Sequence, residues 1–198
     1  MRFDGRLVRK SANGGGEAHE LLQAPGVYPI VWSSDGRELI YGDVDGSLYV
    51  WRGANQTKLL TTAFGNYGAS LSSDRRWLAY TTRGPKHLEI YVASYPDFER
   101  QWRVSTDGGA QPLWRRDGRE LFYIAPDKRL MSVTVTPDED SLEFGTPTAL
   151  FQSNVIDAYD MTYDVTGDGQ RFMMCTVKEK APPIPLQIVA NWPSLLKK

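Results

Sequence analysis

At 198 residues and 41% hydrophobic content, the chain is long enough to bury a core in one or two domains. Its 23 basic and 24 acidic residues leave a net charge of −1, so it lacks the basic surplus that nucleic acid or an anionic membrane surface asks for. The single cysteine, Cys175, excludes an intramolecular disulfide and a thiolate metal site, while 18 Gly, 12 Pro and 12% aromatics favour an all-β chain.

From the N-terminus, Met1 to Arg6 is not followed by an apolar run of signal-peptide length, and no stretch approaches the length of a membrane span. The chain as written carries no address, so the sequence leaves its localisation open between cytoplasmic and extracytoplasmic. Leu7–Ser11 and Gly14–Leu22 read as the third and fourth strands of a blade whose front half is absent. Four segments then align on an aspartate: Trp32–Tyr41 on Asp35, Leu71–Tyr80 on Asp74, Trp114–Tyr123 on Asp117 and Val165–Met174 on Asp168. The aspartates are 39, 43 and 51 residues apart, the period of a propeller blade.

Each segment reads as strand, tight turn, strand. Large apolar residues four and six positions after the aspartate share one face of a strand. Asp-Gly supplies the turn, because glycine takes positive φ and aspartate bonds nearby main chain. Arg75 replaces the glycine in the second repeat, and the fourth lacks the flanking Trp and Tyr. Third strands are expected at Leu48–Trp51, Leu88–Val92, Leu130–Val135 and Leu186–Val189, and fourth strands at Lys58–Thr61, Gln101–Val104 and Thr148–Phe151. The reading is an all-β propeller of about four four-stranded antiparallel blades in one domain over 1–198. Repeats run roughly 24–64, 65–106, 107–153 and 154–195, with closing strands in 1–23.

The pattern Trp-Ser-x-Asp-Gly-Arg-x-Leu-x-Tyr resembles the TolB-type propeller repeat, a relative of the WD repeat. Trp114–Tyr123 with Pro126–Met131, the tail Tyr163–Val165 with Gly169–Phe172, and Asn191-Trp192 resemble the C-terminal sensor propellers of bacterial proteins fused to a Ser/Thr kinase or a winged-helix regulator. That resemblance covers nearly the whole chain and implies a sensor or scaffold propeller.

The ends are out of phase with the repeat. Glu20-Leu21-Leu22 has the composition of the fourth strand that the last blade lacks, which points to pairing beside Leu186–Val189. Three closures follow: a closed four-bladed ring, a half-ring completed by a second copy through strand exchange, and a fragment of a larger propeller.

Catalytic patterns are sparse. Gly-x-Ser-x-Gly is absent, and Ser70, in Gly68-Ala69-Ser70, reads as a strand serine. His19 and His87 form no metal-like pair, and His87 reads as a surface residue. Asp43-Val44-Asp45-Gly46-Ser47 resembles the start of a calcium loop but falls where a hairpin is expected. Asp157, Asp160, Asp164 and Asp168 read as turn caps and a polar face. The six tryptophans, Trp32 and Trp114 at equivalent positions among them, read as blade-to-blade core. Lys180–Pro185 reads as a stiff connector.

The leading expectation is a non-catalytic module that binds protein, peptide or a small polar ligand, with no metal and no cofactor. Loops entering each first strand gather at the axis, which makes Tyr28, Asn66, Tyr67, Gln111, Tyr159 and Asp160 the candidate ligand residues. These tyrosines could equally plug the channel. The alternative is a lactonase- or esterase-like propeller hydrolase with a metal on the axis near Asp157 and Asp160.

Overall fold

The structure is a computed structural model that describes residues 4–53, 55–61, 68–156 and 161–176. Among these residues every regular element is a strand. An N-terminal hairpin, β1 (Asp4–Arg9) with β2 (His19–Pro25), precedes the first blade. That blade is β3 (Tyr28–Trp32), β4 (Leu39–Gly42), β5 (Ser47–Arg52) and β6 (Asn55–Thr61), paired in that order. The second is β7 (Ala69–Leu71), β8 (Trp77–Arg83), β9 (Leu88–Ser94) and β10 (Gln101–Arg103). The third holds β11 (Ala110–Trp114), β12 (Glu120–Ile124), β13 (Arg129–Pro137), β14 (Leu142–Phe144) and β15 (Thr148–Gln152). A last hairpin, β16 (Tyr163–Val165) with β17 (Phe172–Met174), begins the fourth. The expected third strand at 186–189 and the tail 191–192 lie outside the described residues.

The four turns form where the aspartates place them. Gly36, Gly118 and Gly169 take φ of 68°, 71° and 73°, and Arg75 takes the same conformation at 60° despite its side chain. A hydroxyl two positions before the aspartate locks three of them. Ser33 Oγ donates to Asp35 and accepts from the Glu38 amide, Ser72 Oγ donates to Asp74 and accepts from the Trp77 amide, and Thr166 repeats the arrangement with Asp168 and Arg171. In the third blade Arg115 stands there instead, and its guanidinium spans Asp117 and Glu120. The turns are also linked in series: Ser34 Oγ donates to Ser73 O, and Ser73 Oγ to Arg116 O.

Strand alternation assigns each blade two faces. Leu39, Tyr41 and Trp51 pack back on Leu7 and Leu22 of the N-terminal hairpin. Ile40, Leu48 and Val50 pack forward on Leu78 and Tyr80. Trp77, Ile90 and Val92 meet Trp114, Leu121 and Tyr123, and Phe122, Ile124 and Leu130 meet Tyr163. The core is therefore a series of interblade layers, each sealed by residues from two repeats. Burial of one such Leu or Phe contributes about 1.5–3 kcal/mol.

Two expectations change. Trp32 does not share the buried role of Trp114: it is 39% exposed and meets Trp51 edge-on at 6.2 Å. β2 pairs with β1, as the third and fourth strands of one blade would, with Gly14 and Gly16 in their connecting loop. β14 is an unforeseen strand that pairs with the far end of β13, while β15 pairs with its near end. Among the described residues no hydrophobic cluster joins the N-terminal hairpin to β16–β17, and the remainder of the last blade lies outside them.

Candidate functional site

The position six residues before each turn aspartate is occupied by Pro29, Gly68, Gln111 and Thr162. It lies where the chain enters the first strand of a blade, at the end opposite the Asp-Gly turns. Three of these entrances converge. Gly68 holds φ at 92°, which favours glycine, and the Cβ it lacks would lie 3.1 Å from Met161 Sδ and 3.5 Å from Gln111 Cα, so the two loops approach closely here.

Gln111 is the hub. Register between β11 and β12 shifts between Ala110 and Leu113, so the Gln111 main chain bulges out of its own sheet. Its N–H donates to Thr81 Oγ1 of the second blade at 3.2 Å, and its carbonyl accepts from the Tyr163 hydroxyl of the last hairpin at 2.9 Å. Its side-chain Oε1 accepts both the Thr162 N–H and the Thr162 hydroxyl, each at 2.8 Å. Gln111 holds φ at 60°, a left-handed conformation costing a non-glycine residue about 1–2 kcal/mol, and bonds to two neighbouring blades hold it there. Burial, with Asp164 adding to it, pushes the Tyr163 hydroxyl well above the ordinary tyrosine range, so that hydroxyl stays a donor. One layer deeper, Ser70 Oγ accepts from the Trp114 amide at 3.2 Å, which ties β7 to β11 and gives Ser70 a structural role.

Of the six candidate ligand residues, Gln111 stands at this junction. Tyr28 does not reach it: the ring lies across Gly42, its partner on β4, where a Cβ would fall 2.7 Å from the ring. Asn66, Tyr67, Tyr159 and Asp160 lie outside the described residues, as does Asp157. Thr81, Thr162 and Tyr163 were missed by sequence reasoning. The signal that would have found Thr162 was the aligned position itself, shared with Gln111.

A second concavity of about 310 Å³ lies between the end of β2 and the first blade, lined in part by Pro25, Tyr41, Asp43, Asp45 and Tyr49. Asp43 here caps a turn: Oδ1 accepts the amides of Asp45 and Ser47, and Oδ2 accepts the Tyr49 hydroxyl. Both oxygens are committed to the hairpin.

No family model matches the chain, and no curated protein matches it. Solved structures do. TolB from Acinetobacter baumannii superposes with a TM-score of 0.61 at 14% identity, over 85% of this chain and 42% of its own. An oligogalacturonate lyase in complex with manganese gives 0.61 at 16% identity, over 86% of this chain and 50% of its own. The Cps50 (Swd1) β-propeller domain of Myceliophteria thermophila gives 0.53 at 16%, over 75% and 49%. The chain spans about half the length of these proteins. Its fold is that of the TolB-like and WD-repeat-like β-propellers.

Proposed function

We propose that the chain is a non-catalytic recognition module, the sensor or scaffold part of a longer bacterial protein, that takes a peptide, a protein loop or a small polar ligand at the mouth of its axis. The observation that carries this reading is the convergence of three blade entrances on Gln111, with Gly68 and Met161 beside it and Thr162 bonded to it. Met161 is partly exposed, so the mouth offers an apolar contact beside fixed hydrogen-bonding groups, the composition of a polar-ligand site. Among the described residues the groups gathered there are hydroxyls, a carboxamide and a thioether. They suit binding, and none of them is a general base at neutral pH.

The propeller fold also hosts enzymes, the lyase above among them, so the test must separate binding from turnover. Short capped peptides titrated into ¹⁵N-labelled protein should shift the amides of Gly68, Gln111 and Thr162. The amides of the Asp-Gly turns at the other end of the strands should stay. Shifts confined to the turns would overturn the assignment of the site. Turnover of a generic ester or lactone that a chelator abolishes would replace the binding reading with the metal-dependent one.

A further inference from the structure

Gln111 is 5% exposed, yet its side chain is only half used. A main-chain N–H can only donate, so the atom facing Thr162 N must be the carboxamide oxygen, and the nitrogen lies on the other side of the planar group. Oε1 is fixed by two bonds from Thr162. Among the described residues no protein group takes the Nε2 hydrogens. Nor does Nε2 stand with the fully buried side-chain nitrogens without partners, which among the described residues are the indole nitrogens of Trp77 and Trp114. A nearly buried carboxamide is thus locked by its oxygen and open at its nitrogen, at the junction of three blades.

We propose that Gln111 is the specificity-determining donor of the axial mouth, giving its two Nε2 hydrogens to a neutral carbonyl oxygen, that of a peptide main chain or a primary amide. This rests on the binding reading above. Preorganisation is the physical reason. The Thr162 bonds hold the donor in place before a ligand arrives, so little rotamer freedom is lost on binding. Neutrality follows from the surroundings. The side chains bonded to Gln111 are Thr81, Thr162 and Tyr163, and none carries a charge to offset a bound carboxylate. A ligand without the carbonyl leaves the donor unpaired in a nearly buried place, which is how such a group discriminates.

A purely structural glutamine needs only its oxygen and its main chain, and that separates the two roles. Gln111→Glu keeps an oxygen for Thr162 and turns the donor into an acceptor. The probe is acetyl-triglycine amide, with acetamide as the free-amide arm and acetate as the anion arm. In the wild-type protein the Gln111 side-chain ¹H–¹⁵N pair should shift with acetyl-triglycine amide and not with acetate. A shift with acetamide alone would identify the ligand as a free amide rather than a peptide main chain. Gln111→Glu should weaken peptide binding about 10-fold or more, and the thermal midpoint should fall as well, because a carboxylate there has no charged partner. If the main-chain peaks of Gly68 and Thr162 move and the Gln111 side-chain pair does not, the proposal fails and the site survives. If Gln111→Glu binds within about twofold of wild type, the proposal also fails. Should that variant not fold, the wild-type side-chain shift decides alone. If no axial peak moves with any probe, the binding reading itself falls.

Discussion

Position five after the turn aspartate holds Ile40, Ala79, Phe122 and Met173. The first three are 0–1% exposed and the fourth is 75% exposed. Sequence alone makes these four residues equivalents. What differs is whether packing in the fold covers them, which no local pattern encodes. Phe122→Ala should therefore cost about 3–5 kcal/mol, because it opens a cavity against Tyr163 and Phe172. Met173→Ala should change stability by less than about 0.5 kcal/mol. Chemical denaturation of both variants checks the pair, and a similar cost for both would mean that something covers Met173.

The core tyrosines were legible, since Tyr41, Tyr80 and Tyr123 follow their aspartates by six and all are buried. Their hydroxyl partners were not: Tyr41 donates to Gln56 and Tyr80 to Gln101, and Tyr123 has no hydroxyl partner among the described residues. Burial pushes each of these hydroxyls up to about 12. The folded state thus favours the neutral phenol over an unfolded chain that ionises near about 10. That contribution is fully present below about pH 10 and is lost as pH rises from about 10 to 12. The thermal midpoint should fall across that window, with phenolate absorbance for these residues appearing late. Ionisation of all ten tyrosines near pH 10 without loss of fold would contradict the buried placement.

At the scale of elements, the hairpins follow from local chemistry and so could be read directly. Ser72 shows how much the turn depends on one hydroxyl. Its Oγ accepts the Trp77 amide, a buried donor that Ser72→Ala would leave unpaired. The expected cost is about 1–3 kcal/mol by denaturant unfolding. A neutral Ser72→Ala would mean that the Asp74 carboxylate holds the turn without it. The strand partners were less legible, because pairing is a long-range choice that local pattern does not encode. β14 arises because β13 runs on to Pro137, past its partner β12, and its exposed edge recruits the next segment. The bulge at Gln111 left no local mark either, since its hydrogen bonds go to residues 30 and 51 positions away. The loop position was therefore readable as a candidate site, and the role of the residue was not.

Across the whole molecule, the N-terminal hairpin acts as a partial blade. Leu7 and Leu22 cover Leu39, Tyr41 and Trp51, so deleting residues 1–25 should bare an apolar face, lower stability and promote aggregation. Size-exclusion chromatography and thermal unfolding of the truncated chain check this. An equally stable, soluble product would show that the hairpin is dispensable. On β16–β17, Asp164, Phe172 and Met173 line a groove of about 450 Å³. Period and turn chemistry named the blades from sequence, whereas the number needed to close a ring depends on interblade angles that no local pattern sets. The central claim is that these blades share one axis, with the ligand mouth where their entrances meet. It is tested most directly by the nuclear Overhauser effect between the Met161 methyl and the Gly68 α-protons, residues from the last hairpin and the second blade. A clear cross-peak, together with one linking the Thr162 amide to the Gln111 side chain, is the expected result. Absence of both, in a protein whose hairpin contacts are intact, would show that the blades do not converge and that the axial site does not exist.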